Sequence, residues 1–238
     1  MVLEFKKMKR SKLIIVLILI VVLNIGIHYL MGNVKYVGIP YAAEPGWTLQ
    51  NTLIVGTYYL LLPVFTLIGS ASFIIERENS VYINILTIPV RKSHLILNKS
   101  KFIWVVSMIF TSSIFVFTLV LEKIHSNILT QEIVLKYLFE YVVHSNGLYV
   151  IAMLILSVII YMDYNMQLAV MVGFVSSFVS VFIEQTAISY LYPVNALFNI
   201  SGFKESNLYE YSSSVVILCV IAICAVFIYK KIAQQESW

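Results

Sequence analysis

Apolar residues along this chain gather into long blocks separated by short polar stretches. They do not form the one-sided stripe of an amphipathic surface helix, so each block must face lipid or another block. Six blocks suit a hydrocarbon core of about 30 Å: roughly 13–31, 53–75, 102–121, 147–162, 168–183 and 214–229. The first three are long enough to cross with tilt. The last three are shorter, which predicts water-filled vestibules or extra helix hidden in their flanks. Pro63 falls inside the second block and predicts a kink there, because its ring nitrogen has no hydrogen for the helical ladder. The pattern predicts an all-α membrane protein with six transmembrane helices in one domain over 1–238, without internal repeats.

Composition agrees. Apolar and aromatic residues make up 60% of the chain and charged residues 12%, about half of what a soluble domain carries. The basic stretch Met1–Lys12 followed by the first block invites a signal-peptide reading. The block is longer than a secretory core, however, and Ala42-Ala43 lies too far downstream to serve as its cleavage site. An uncleaved first span is expected. Cys219 and Cys224 share the last block, and His28, His94, His125 and His144 are scattered without ligand spacing, so neither a disulfide framework nor a metal site is expected.

Charge sets the orientation. With the N-terminus inside, twelve of the sixteen Lys and Arg residues fall on the inner side, namely Lys6, Lys7, Lys9, Arg10, Lys12, Arg77, Arg91, Lys92, Lys99, Lys101, Lys230 and Lys231. Lys35, Lys123, Lys136 and Lys204 fall outside. The positive-inside rule then predicts two cytoplasmic termini. Seven of twelve acidic residues lie outside (Glu44, Glu122, Glu132, Glu140, Glu184, Glu205, Glu210). The basic inner face needs only topology and anionic lipid to explain it, and nothing supports nucleic-acid binding.

The connection from Glu76 to Lys99 is too apolar for a solvated loop and too interrupted to span. Pro89 disfavours helix at Ile88, so a short helix from about Ser80 should end there, and Ser93 is placed to cap the next one. The apolar face Val81, Ile85, Leu86, Ile88 requires cover, either by a protein partner or by the inner leaflet; periodicity leaves both open.

Glu76-x-Glu78, then Leu86-Thr-Ile-Pro-Val-Arg91, then Leu95-x-x-x-Lys99 resembles the same loop of type-2 ABC exporter permeases. The resemblance covers nearly the whole chain and comes nearest to the small permeases that protect lantibiotic producers. It implies that Glu76, Glu78, Leu86, Thr87, Pro89, Arg91 and Lys99 form a cytoplasmic coupling helix and its flanks, which dock on a separate ABC ATPase subunit. It also implies a bacterial plasma-membrane location and an amphipathic peptide substrate. Six spans are few for an alternating pathway, so a second copy or a sister permease is expected as well.

Three further segments stand out. Glu132, Lys136 and Glu140 recur every fourth residue and predict a charged helix face lying along the outer interface. The stretch from Glu184 through Tyr190, Tyr192 and Pro193 matches the short re-entrant helices that similar permeases place before their last span. An interfacial aromatic anchor is the alternative, and Glu184 itself fits either the loop or a longer fifth span. Ala169, Gly173 and Ser177 form a small-residue stripe at intervals of four, suited to helix packing within the chain or to dimerisation.

The chain has no Gly-x-x-x-x-Gly-Lys-Ser/Thr loop, so ATP should be held by the partner and no cofactor by this chain. An intramembrane protease or proton carrier would need facing His or carboxylate groups within the spans, and only His28 and Glu184 come near. A transport subunit is expected, with export of another amphipathic substrate or a non-transport assembly role as alternatives.

Overall fold

The computed structural model describes residues 4, 8, 12–78, 92–126, 129–162 and 165–234. In chain order its helices are α1 (Leu13–Gly32), α2 (Trp47–Val55), α3 (Leu61–Glu78), α4 (Lys92–His125), α5 (Gln131–Tyr161), α6 (Met166–Ile183), α7 (Pro193–Ile200) and α8 (Leu208–Gln234). A π-helical turn, Gly56–Leu60, joins α2 to α3 into one span. Among the described residues six helices are then long and apolar enough to cross a membrane. A two-residue hairpin, β1 (Lys35–Tyr36) against β2 (Ile39–Pro40), follows α1. It turns through Val37 and Gly38, both at positive φ, as a tight two-residue hairpin demands.

The fourth and sixth spans are longer than their apolar blocks predict. α5 runs for 31 residues and α8 for 27, because capped polar turns extend them. The Thr130 side chain accepts the Ile133 N–H at 3.4 Å, and Glu132 sits in the first turn of α5, where the helix dipole favours an anion. Ahead of α8, Glu210 reaches back to the Asn207 N–H at 3.1 Å, the carboxylate half of a capping box. The interfacial helix expected around Glu132–Glu140 is therefore the start of the fourth span itself. α6, at 18 residues, remains short.

α3 is the central strut, with Leu61, Leu62, Phe65 and Ile68 all fully buried among α4, α5 and α6. α1 flanks α4 and α2, whereas α8 lies against α5 and α7. α6 is built inside out. Ala169, Gly173, Ser177 and Ser180 face inward, while Met171, Phe174, Phe178 and Phe182 are exposed. Lipid does not drive apolar faces together, so small residues that admit close contact and inward hydroxyls do that work.

Pro63 acts on the turn before it. Its ring would crowd the carbonyl of Tyr59, and Tyr59 lies in the π-helical turn, where the Leu61 N–H reaches back to the Gly56 carbonyl. The wider turn absorbs the conflict. The Thr57 carbonyl accepts the Ser177 hydroxyl at 2.8 Å instead, so a neighbouring helix supplies a donor to the irregular backbone.

Candidate functional site

Two places could carry function: the α3–α4 connection and a polar joint within the bundle. At the first, Glu76 and Glu78 lie on the last turn of α3. Leu86, Thr87, Pro89 and Arg91 lie outside the described residues. Lys99 is two turns inside α4 and is buried. Its ammonium donates to the Ser72 carbonyl of α3 and stands 5.1 Å from the centre of the Phe73 ring. Phe73 in turn stacks on Tyr229 of α8 at 5.9 Å. A buried ammonium without donors satisfied would be costly. Lys99 thus fastens together the two helices from which the loop springs, and through Phe73 it reaches the last span.

The second place centres on His144. The Thr57 hydroxyl lies 2.9 Å from its Nδ1, and the Ser201 hydroxyl lies 3.2 Å from its Nε2. Ser201 Oγ donates its own hydrogen to the Phe198 carbonyl, so toward His144 it accepts. The arrangement that satisfies every group places the ring hydrogen on Nε2 and lets Thr57 donate to Nδ1. Phe198 meets the imidazole edge-on at 4.6 Å. The joint thus ties the π-helical turn to α5 and to the end of α7.

Around it, α7 is sewn into the bundle. Asn195 Nδ2 donates to the Ser180 carbonyl at 3.0 Å. Tyr192 donates to the Ser176 carbonyl at 2.5 Å, and Asn199 Nδ2 donates to Ser214 of α8 at 3.3 Å. Pro193 occupies the first turn of α7, where its missing N–H costs nothing. Tyr190 packs edge-on against Tyr209 at 5.9 Å. The segment from Tyr190 to Phe198 is therefore a packed strut, with Val194 to Asn199 buried. Asn195 Oδ1 alone among these side-chain groups is buried without a partner among the described residues.

Glu184 stands at the end of α6, its N–H still bonded to the Ser180 carbonyl, and it pairs with Lys204 at 2.5 Å. Both side chains are about one-third exposed, so the pair is a rim contact worth about 0.2–1 kcal/mol. Within the fifth block Ala169 is buried, and Gly173 and Ser177 meet the second span of the same chain. A Cβ on Gly173 would come within 2.5 Å of Thr66 Oγ1. In this chain the stripe takes the packing role, at Gly173 and Ser177.

The sequence reading missed Glu122 and misplaced Glu140. Glu122, completely buried, accepts the N–H groups of Gly46 at 2.6 Å and Thr48 at 2.9 Å, capping α2 from the far end of α4. Glu140 points inward at 1% exposure, 4.0 Å from the exposed ammonium of Lys136. Its oxygens accept no hydrogen bond among the described residues. The signal available for Glu122 was a carboxylate directly after the apolar block 102–121, while its partners, 76 and 74 residues away, carried none.

Among the described residues no group of three or more His, Cys, Asp or Glu could hold a metal. The joint contains hydroxyls and an imidazole but no third group arranged to activate a nucleophile. It fixes helices. A family model described as "ABC-2 family transporter protein" matches residues 1–180, which takes in α1 to α5 and most of α6. No curated protein and no solved structure matches.

Proposed function

This chain belongs to the ABC-2 transporter family, and from that premise we propose that it serves an ATP-driven exporter that clears an amphipathic peptide antibiotic from the membrane. As a family member it is a membrane permease of an ABC transporter, a transmembrane subunit of a kind that works with an ATP-hydrolysing partner. The observation that carries the permease reading is the family match itself, because residues 1–180 include the whole connection from Glu76 to Lys99. In this reading the loop docks on the ATPase through Val81, Ile85, Leu86 and Ile88. Lys99 and Phe73 then pass the push to α3, α4 and α8. A second copy or a sister permease completes the pathway, and both termini lie in the cytoplasm.

The peptide reading rests on resemblance to lantibiotic-protection permeases and on the partly exposed aromatic and apolar stretch Tyr190–Pro193, since Val194 to Asn199 are buried. Charge contributes little. Of the seven acidic residues assigned outside, Glu122 is consumed as a helix cap, Glu140 is buried and Glu184 is paired. What remains is screened within about 8 Å at physiological salt. Recognition must therefore come from apolar contact.

The test is expression of the chain with its ATPase and any sister permease in a sensitive host challenged with a cationic lantibiotic. Survival should rise, and peptide should move from cells to medium. Resistance that persists with a hydrolysis-dead ATPase means sequestration. Absence of resistance to every membrane-active peptide removes the peptide substrate. Separately, Leu86→Asp should abolish ATPase pull-down; retained pull-down and transport would reject the docking loop.

A further inference from the structure

α4 and α8 splay apart against α5 and leave a groove of about 430 Å³. Its floor is Tyr149, Met153 and the buried Tyr229, and its open lip carries Leu97 and Val226, both more than half exposed. Small residues on α8, Ala225 among them, give it depth. The groove is graded along its length. One end, which belongs to the bundle end bearing the α3–α4 connection, holds Ser93 and the exposed Lys230. The other is apolar.

The polar atoms deeper in are already engaged. Tyr149 donates to the Ser100 carbonyl at 3.1 Å and Ser100 Oγ to the Ile96 carbonyl at 3.0 Å. Lys230 is the ionic side chain of the lining, and no carboxylate lines it among the described residues.

We propose that this groove is a binding site for one anionic phospholipid, with the phosphate at Lys230 and an acyl chain laid between α4 and α8. Two observations select that occupant. The first is polarity: a cation at one end and carbon along the rest complements a headgroup and tail, in that order. The second is size. A helix from a second copy occupies about 400 Å³ per turn, so one turn would fill the groove, whereas a single acyl chain fits along it. Basic pockets between spans are a recurrent means of holding acidic headgroups.

The site is tested by native mass spectrometry of the full chain, purified in detergent and offered equal amounts of phosphatidylglycerol and phosphatidylcholine with identical acyl chains. The wild type should retain phosphatidylglycerol about fivefold over phosphatidylcholine, the effect of one lysine near an anionic surface. Lys230→Gln should bring the two to parity. Ala225→Trp, which fills the groove, should lower both adducts while helicity is kept. Should that variant fail to fold, Lys230→Gln decides alone, since its side chain lies at the exposed mouth. Parity in the wild type, or an excess untouched by Lys230→Gln, would overturn the proposal. So would a dimer that Ala225→Trp breaks while phosphatidylglycerol retention stays unchanged, which would assign the groove to a second copy.

Discussion

Thr57 and His144 meet at 2.9 Å across the bundle, joining the π-helical turn of the second span to the fourth. Each satisfies the other in a site where water cannot substitute, so losing one partner leaves the second unpaired, at about 1–3 kcal/mol. His144→Leu and Thr57→Val should each lower thermal stability. The double variant should cost less than the sum by about 1 kcal/mol. Strict additivity in a double-mutant cycle followed by thermal unfolding would show that the two do not interact.

Glu122 holds α2 from a distance of 74 residues. Glu122→Ala strips the acceptor from two N–H groups at a buried helix start, a loss of about 1–2 kcal/mol. The melting temperature should fall by about 2–8 °C. Glu122→Gln, which keeps one acceptor oxygen, should fall between wild type and Ala. Equal melting of all three would remove the capping role.

Gly173 faces Thr66 with no space for a methyl group. Gly173→Ala should destabilise the monomer and Gly173→Leu more so, while the particle mass on blue-native electrophoresis stays the same. Thr66→Ala should recover part of the loss in Gly173→Ala. A change of assembly state with unchanged melting would place the stripe between subunits after all.

Orientation is open to chemical labelling. In a background lacking Cys219 and Cys224, Glu205→Cys should react with an impermeant maleimide in intact cells and Ser93→Cys should not. Both native positions are exposed. Labelling of both, or of Ser93→Cys alone, would overturn cytoplasmic termini.

The spans were legible because each is an apolar block almost free of charge and without the one-sided stripe of a soluble helix. Their ends were not, since hydropathy stops at the first polar turn while helical hydrogen bonding does not. Glu132 and Lys136 read as a separate interfacial helix, and Tyr209 and Glu210 as loop, yet the first pair belongs to α5 and the second to α8. The stripe Ala169, Gly173, Ser177 was legible as a close contact, but its partner was not. Thr66 lies on another block, and spacing within one helix says nothing about what faces it. His144 looked isolated because Thr57 and Ser201 lie 87 and 57 residues away. Glu122 reads as surface charge in the sequence, although it accepts two N–H groups at the start of α2. In each case the missing information was long-range.

The brevity of α6 bears on the membrane around the protein. Eighteen residues rise about 27 Å, less than a typical hydrocarbon core, while the aromatic face Phe174, Phe178, Phe182 is turned outward. Ser180 and Asn195 tie its end to α7, so it cannot lengthen by recruiting its own loop. The bilayer must yield instead, thinning along that flank by about 3 Å, at a fraction of a kcal/mol per ångström. A span this short predicts local compression of lipid on that side, so activity in vesicles should respond to acyl-chain length as well as to headgroup.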